Sequence, residues 1–152
     1  MSKKITILSL DGGGIRGIIP CIILKYIEEQ LQQKDNPNLK LGDYFDLIAG
    51  SSTGGILASI LLYPDGNKKA KFSIQKAFEL YSEKGEDIFS VGFWERLVNP
   101  FGLFSEKISE EELEKHLLDF FGNLELKDLA KPSLITAYDI ENRKAQLFNS
   151  WD

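Results

Sequence analysis

The sequence predicts an α/β fold with a mostly parallel sheet, and three observations predict it. A β-branched apolar run, Ile5-Thr6-Ile7-Leu8-Ser9-Leu10, stops at glycines. After Pro20, apolar residues Ile22, Ile23, Tyr26, Ile27 and Leu31 recur at spacings of three and four. A second apolar run, Tyr44 to Ala49, then stops at another glycine turn, Gly50-Ser51-Ser52-Thr53-Gly54. Strand, helix, strand is a βαβ unit, which pairs its strands in parallel through a right-handed crossover.

Each element has a local reason. The first run is apolar at nearly every position, the pattern of a strand buried on both faces. Pro20 suits the first turn of a helix, where its missing N–H has no intrahelical acceptor. Lys25, Glu28, Glu29 and Gln32 fall opposite the apolar stripe, and the helix is expected to end near Lys34. Asn36-Pro37-Asn38 marks a loop. From Gly54 to about Tyr63 a small-residue helix follows, closed by the turn Pro64-Asp65-Gly66-Asn67. A further helix is expected from Ser73 to Lys84, with Ile74, Ala77, Phe78 and Tyr81 on one face.

Between Ile88 and Phe104 the period is lost, and Phe89, Phe93, Trp94, Phe101 and Phe104 crowd the segment. Core packing under a long loop is favoured there over an interfacial lid. Ser109 and Glu112 read as a capping box for a helix reaching Phe121, with Gly122 as its stop. Within it, Glu110-Glu111-Glu112 suits the positive end of a helix dipole better than a metal site, and His116 reads as a partly exposed helix residue. Leu134 to Tyr138 and Ala145 to Phe148 read as two strands joined as a hairpin through Glu141-Asn142-Arg143.

Composition bounds the function. With 152 residues, 43% of them hydrophobic, the chain suffices for one core, so residues 1–152 are expected to belong to a single domain. The net charge of −5, with no basic block, argues against nucleic acid as a partner. The longest apolar stretches, Gly17 to Leu24 and Gly54 to Tyr63, fall short of the roughly 20 residues a membrane span needs. Met1-Ser2-Lys3-Lys4 leads into a strand without a signal-peptide pattern, so cytoplasmic synthesis is expected, and export by another route stays open. Cys21 is the only cysteine, which rules out an internal disulfide and a cysteine-rich metal site, and leaves a buried helix thiol as its reading.

The two glycine turns carry the chemistry. Ser52 centres a Gly-x-Ser-x-Gly element, with Gly50 and Gly54 where side chains would collide across a sharp strand-to-helix corner, and Gly55 where the helix must approach the sheet. A serine hydroxyl is a poor nucleophile at neutral pH, so such an elbow exists to expose it to a base at the positive end of a helix. Thr53 completes the elbow, and Ser51 reads as a small residue at the bend. Gly12, Gly13 and Gly14, with Arg16 beyond them, offer backbone N–H groups for an oxyanion. The rival reading, dinucleotide binding at Gly12-x-Gly14-x-x-Gly17, lacks an acid at the end of the next strand, which ends in Gly50-Ser51-Ser52 instead.

Two long stretches, Leu8-Ser9-Leu10-Asp11-Gly12-Gly13-Gly14-Ile15-Arg16-Gly17-Ile18-Ile19-Pro20 and Asp43-Tyr44-Phe45-Asp46-Leu47-Ile48-Ala49-Gly50-Ser51-Ser52-Thr53-Gly54-Gly55, are similar to the patatin-like phospholipases. The helix after Pro20 and the Ala137-Tyr138-Asp139 strand match as well. The resemblance implies a three-layer α/β sandwich and hydrolysis of acyl esters in phospholipids or galactolipids at a membrane or micelle surface; with the N-terminal pattern, the expected location is the cytoplasm or peripherally at membranes. It implies a Ser-Asp dyad that needs neither histidine nor metal nor cofactor. Ser52 maps to the nucleophile, and Gly12, Gly13, Gly14 and Arg16 map to the oxyanion region.

One departure stands out. The family's dyad aspartate lies in a later Asp-Gly-Gly or Asp-Gly-Ala element, and none follows Ser52 here. Asp65-Gly66 has the wrong third residue and lies about 20 Å from Ser52 along the helix, at about 1.5 Å per residue. Asp139 matches a different family position. The chain is therefore expected to be the N-terminal portion of one patatin-like domain, weakly active or inactive alone, with a homo-oligomer as one cover for the apolar surface left open. A non-catalytic lipid- or partner-binding module on the same scaffold is the alternative.

Overall fold

The structure is a computed structural model and describes residues 4–83, 110–139 and 141–151. The aromatic segment 88–104, Lys84, Ser109 and the side chains of Glu110, Glu111 and Glu112 lie outside the described residues. Four strands form one sheet in the order β1 (Ile7–Leu10), β2 (Leu47–Ser51), β3 (Ser133–Asp139), β4 (Lys144–Asn149). The first three are parallel, with Leu8 opposite Ile48 and Gly50 opposite Ile135. β4 returns antiparallel, with Thr136 opposite Leu147. Around the sheet run α1 (Ile18–Lys34), a single turn α2 (Leu41–Tyr44), α3 (Thr53–Leu61), α4 (Ile74–Glu83) and α5 (Glu110–Phe121). The predicted α/β class with a mostly parallel sheet is what forms.

Successive parallel strands step across the sheet in one direction, and right-handed crossovers then carry their helices to the same face. The core lies on that face. Leu10 and Ile48 of the sheet meet Cys21 and Leu24 of α1, Leu57 and Leu61 of α3, and Ile74, Ala77 and Tyr81 of α4. On the opposite face Ile7 is 62% exposed, as are Tyr138 (62%) and Leu147 (58%). β1 is therefore buried on one face only, contrary to the expectation from its unbroken apolar pattern. Among the described residues it is an edge strand, and no described element covers its second face. Of the three layers implied by the resemblance, the described residues supply the sheet and one helical layer.

Two further expectations need correction. The stripe predicted for α1 included Ile22, Ile23 and Tyr26, yet these are more than half exposed, while Cys21, Leu24 and Glu28 face inward. Glu28 belongs there because its carboxylate accepts hydrogen bonds from Leu41 N–H (3.0 Å) and Ile74 N–H (3.2 Å). Those are the first amides of α2 and α4, two helix starts with no partner of their own. Burial pushes the Glu28 carboxyl above its ordinary value, against the lowering effect of those amides. Second, β2 begins at Leu47 rather than Tyr44, since Leu41–Tyr44 closes into the helical turn that Glu28 caps. Asp46 then accepts from Thr6 N–H at 2.9 Å, which brings β1 alongside.

Candidate active site

Ser52 sits between β2 and α3 with φ +53° and ψ −126°, a conformation that L-residues rarely adopt and that persists only where the surroundings impose it. The glycines around it impose it. A Cβ on Gly50 would meet the backbone of Gly54 and Gly55, and one on Gly54 would lie 2.7 Å from the carbonyl carbon of Leu10. A Cβ on Gly55 would be 2.9 Å from Cγ2 of Ile135. The end of β2 thus folds tightly over the first turn of α3, while α3 rests directly on β1 and β3. Ser52 is left exposed, and its hydroxyl makes no hydrogen bond among the described residues.

The first glycine turn lies against this corner. A Cβ on Gly12 would stand 2.6 Å from Cβ of Ser52, so only glycine lets the two turns touch. Gly12 N–H donates to Ser51 Oγ (2.9 Å), and Gly13 N–H donates to Thr53 Oγ1 (3.1 Å). Ser51 is therefore more than a small residue at a bend. Arg16 folds back on its own turn, where both its N–H and its Nε donate to the Gly13 carbonyl, at 3.2 and 3.3 Å. In a trans peptide the C=O of Gly13 and the N–H of Gly14 point in opposite directions. Pinning that carbonyl therefore fixes the direction of the Gly14 amide. Gly14 N–H and Thr53 N–H carry no hydrogen bond among the described residues, and Gly14 adopts φ +60°.

Tyr81 of α4 supports both turns from beneath. It is 1% exposed, its OH donates to the Thr53 carbonyl at 2.9 Å, and its ring occupies the space that a side chain on Gly17 would need. Burial raises the Tyr81 pKa, which keeps the phenol protonated and able to donate. The sequence placed Tyr81 on an apolar helix face and offered no sign of this contact. Ser51 and Thr53 were more nearly visible, as hydroxyls flanking a central serine, but their partners are set by the docking of two distant turns.

From Ser52 an apolar cavity of about 640 Å3 extends between α3, α5 and the segment that follows α5. Ile56, Leu117, Leu118, Phe121, Leu126 and Ile135 line it, with Glu114 and Glu125 among the few polar residues. Its volume falls in the range of small-molecule sites.

The remaining sequence candidates lie elsewhere. Asp65 accepts from Asn67 N–H (2.7 Å) and Lys69 N–H (3.2 Å) in the turn beyond α3, and the Asn67 amide holds its pKa down. Asp139 accepts from Asn142 N–H (2.9 Å) and Nδ2 (2.8 Å) at the hairpin, which lowers its pKa likewise. His116 is a partly exposed residue of α5 and does not line the cavity. Cys21 is fully buried, and burial pushes its thiol up to about 12. No helix among the described residues is long and apolar enough to cross a membrane.

A mostly parallel sheet, one helical layer and a strained serine where a buried strand meets a small-residue helix define an α/β protein built around that corner. The chain belongs to the patatin-like phospholipase family, whose model matches residues 8–150. It is 33% identical over 153 residues to patatin-like protein 2 of Oryza sativa subsp. indica, covering 99% of this chain and 38% of that protein. To patatin-17 of Solanum cardiophyllum it is 35% identical over 150 residues, covering 97% of this chain and 36% of that protein. Patatin-like protein 4 of Arabidopsis thaliana is 35% identical over 148 residues, again 97% of this chain and 37% of the relative. The chain thus spans well under half the length of these curated relatives.

Proposed function

We propose that this chain supplies the nucleophile and the oxyanion turn of a lipid acyl hydrolase acting on acyl esters of phospholipids or galactolipids, a phospholipase A-type reaction. The observation that carries the reading is the strained, exposed Ser52 at the N-terminus of α3, set between the glycine turn and an apolar cavity of about 640 Å3. Ser52 Oγ bonds to the ester carbonyl carbon while its proton passes to a carboxylate. By family resemblance that carboxylate is an aspartate in a later Asp-Gly element, outside this chain. The carbonyl oxygen gains negative charge beside Gly14 N–H, Thr53 N–H and the positive end of α3. Collapse expels the alcohol with the proton, and water then releases the fatty acid from the acyl-serine.

The geometry supports a division of labour. Gly12 and Gly13 commit their amides to holding the turns together, and Arg16 orients the Gly13–Gly14 peptide. Labelling with a fluorophosphonate tests the reading. Ser52-dependent adduct formation is expected, with Ser52→Ala reducing it by on the order of 10^4-fold or more. Labelling that survives in Ser52→Ala, or is absent from a protein extended through the Asp-Gly element, would overturn it in favour of a non-catalytic lipid-binding module.

A further inference from the structure

We propose that Ser51 and Thr53, the hydroxyls on either side of Ser52, are positioning residues that clamp the glycine turn onto the elbow and so set the geometry of acyl transfer. The inference rests on Ser52 being the nucleophile, and it adds two residues to which the sequence assigned no such task. The turns come from chain segments about forty residues apart, and two short side-chain bonds join them: Gly12 N–H to Ser51 Oγ at 2.9 Å and Gly13 N–H to Thr53 Oγ1 at 3.1 Å. The two acceptors alternate with the nucleophile along the chain, and the two donors are successive amides. Two successive donors on two acceptors that bracket one residue leave the turn no freedom to slide along the elbow.

Each partner is itself fixed. Ser51 ends β2 in register with Thr136 of β3. Thr53 is fully buried, and its carbonyl is held by Tyr81. Gly13 is gripped through both of its peptide units, its N–H by Thr53 and its C=O by Arg16. The clamp therefore transmits the position of the sheet and of α4 to the Gly14 amide. Without Thr53 Oγ1, Gly13 N–H would rotate to find another acceptor and carry the next peptide with it. A misplacement of about 1 Å in such a site costs on the order of 100-fold in rate.

The test uses the protein extended through the Asp-Gly element, with Thr53→Val, Thr53→Ser and Ser51→Ala. Thr53→Val is expected to slow acylation of Ser52 about 30- to 100-fold at saturating ester with KM changed less than about threefold, because the apolar cavity is untouched. Thr53→Ser, which keeps the acceptor, should recover to within about threefold of the parent rate. Amide hydrogen exchange supplies a readout independent of turnover. The Gly13 amide should lose protection in Thr53→Val and keep it in Thr53→Ser, and the Gly12 amide should lose it in Ser51→Ala. Parent-like acylation by Thr53→Val, a loss confined to KM, or unchanged Gly12 and Gly13 exchange in these variants would each overturn the clamp. If the extended parent protein is not acylated at Ser52, the nucleophile reading fails instead, and the exchange data still decide whether the clamp exists.

Discussion

The elbow and the β3–β4 hairpin each place one residue at nearly the same positive φ and hold it there in opposite ways. Ser52 has φ +53° and Arg143 has φ +52°. At the elbow the unusual angle is enforced by packing: glycines at 12, 50 and 54 bring backbone against backbone, Gly55 admits the Ile135 side chain, and Tyr81 holds the Thr53 carbonyl. At the hairpin it is local. Asp139 accepts from Asn142, and Arg143 stands in solvent. A left-handed residue in an exposed turn costs little and reports only a change of direction, whereas one enclosed by close contacts reports a position that the fold maintains against strain. The difference can be sharpened or broken by substitution.

The largest effect is expected from Gly54→Ala. The added methyl would collide with the carbonyl of Leu10, so α3 would have to lift from β1 at a cost of about 3 kcal/mol. Denaturant unfolding measures it, and a loss below about 1 kcal/mol would mean that the packing at the elbow is softer than the contacts imply.

Next comes Tyr81→Phe. It removes the donor to the buried Thr53 carbonyl and should cost about 1.5 kcal/mol while leaving the ring against Gly17. The same denaturant titration should show no change in the slope of the transition; a changed slope would point to lost compactness rather than a lost hydrogen bond.

Replacing each strained residue by glycine separates the two bends directly. Ser52→Gly should stabilise the protein by about 1 kcal/mol while abolishing adduct formation, because strain is released together with the hydroxyl. Arg143→Gly should shift stability by no more than about 0.5 kcal/mol in either direction. Equal shifts in the two variants would erase the distinction.

The smallest effects are in pH dependence, where the signs differ. Glu28 and Asp139 both accept backbone amides, but burial raises the pKa of Glu28 while the Asn142 hydrogen bonds lower that of Asp139. Stability contributed by Glu28 is fully present below its ordinary value of 4.5 and is lost as pH rises through the raised value. Stability contributed by Asp139 is present above its ordinary value of 3.8 and is lost as pH falls through the lowered value. Melting temperatures across the acid range should therefore show the difference between parent and Glu28→Gln narrowing with rising pH, and that for Asp139→Asn widening. Parallel curves would remove Glu28 from the buried class.

The same division explains what could be read from the sequence. The β1–α1–β2 unit, the elbow, the turn at Pro64 to Asn67 and the hairpin all rest on local chemistry, and each appears close to its predicted place. The glycine spacing around Ser52 was legible because steric exclusion across a tight turn depends on neighbours in the chain. The misread features are those whose cause lies far along it. Glu28 looked like a surface acid until Leu41 and Ile74 came to its carboxylate from 13 and 46 residues away. Ile7 looked buried because its strand is uniformly apolar, yet coverage of a strand face depends on which elements dock there. Ser51 lies in the motif and Tyr81 on the periodic apolar face, but neither signal names a partner, and their contacts follow from tertiary register alone.

The lone cysteine has a practical consequence. With Cys21 sealed in the core and its thiol held almost entirely protonated at neutral pH, thiol-specific reagents should find no target in the native chain. A single cysteine engineered at the hairpin, for instance in place of Arg143, would then accept a fluorophore or spin label uniquely. Motion of the hairpin could be followed from that one reporter without first stripping the protein of its own sulfhydryl.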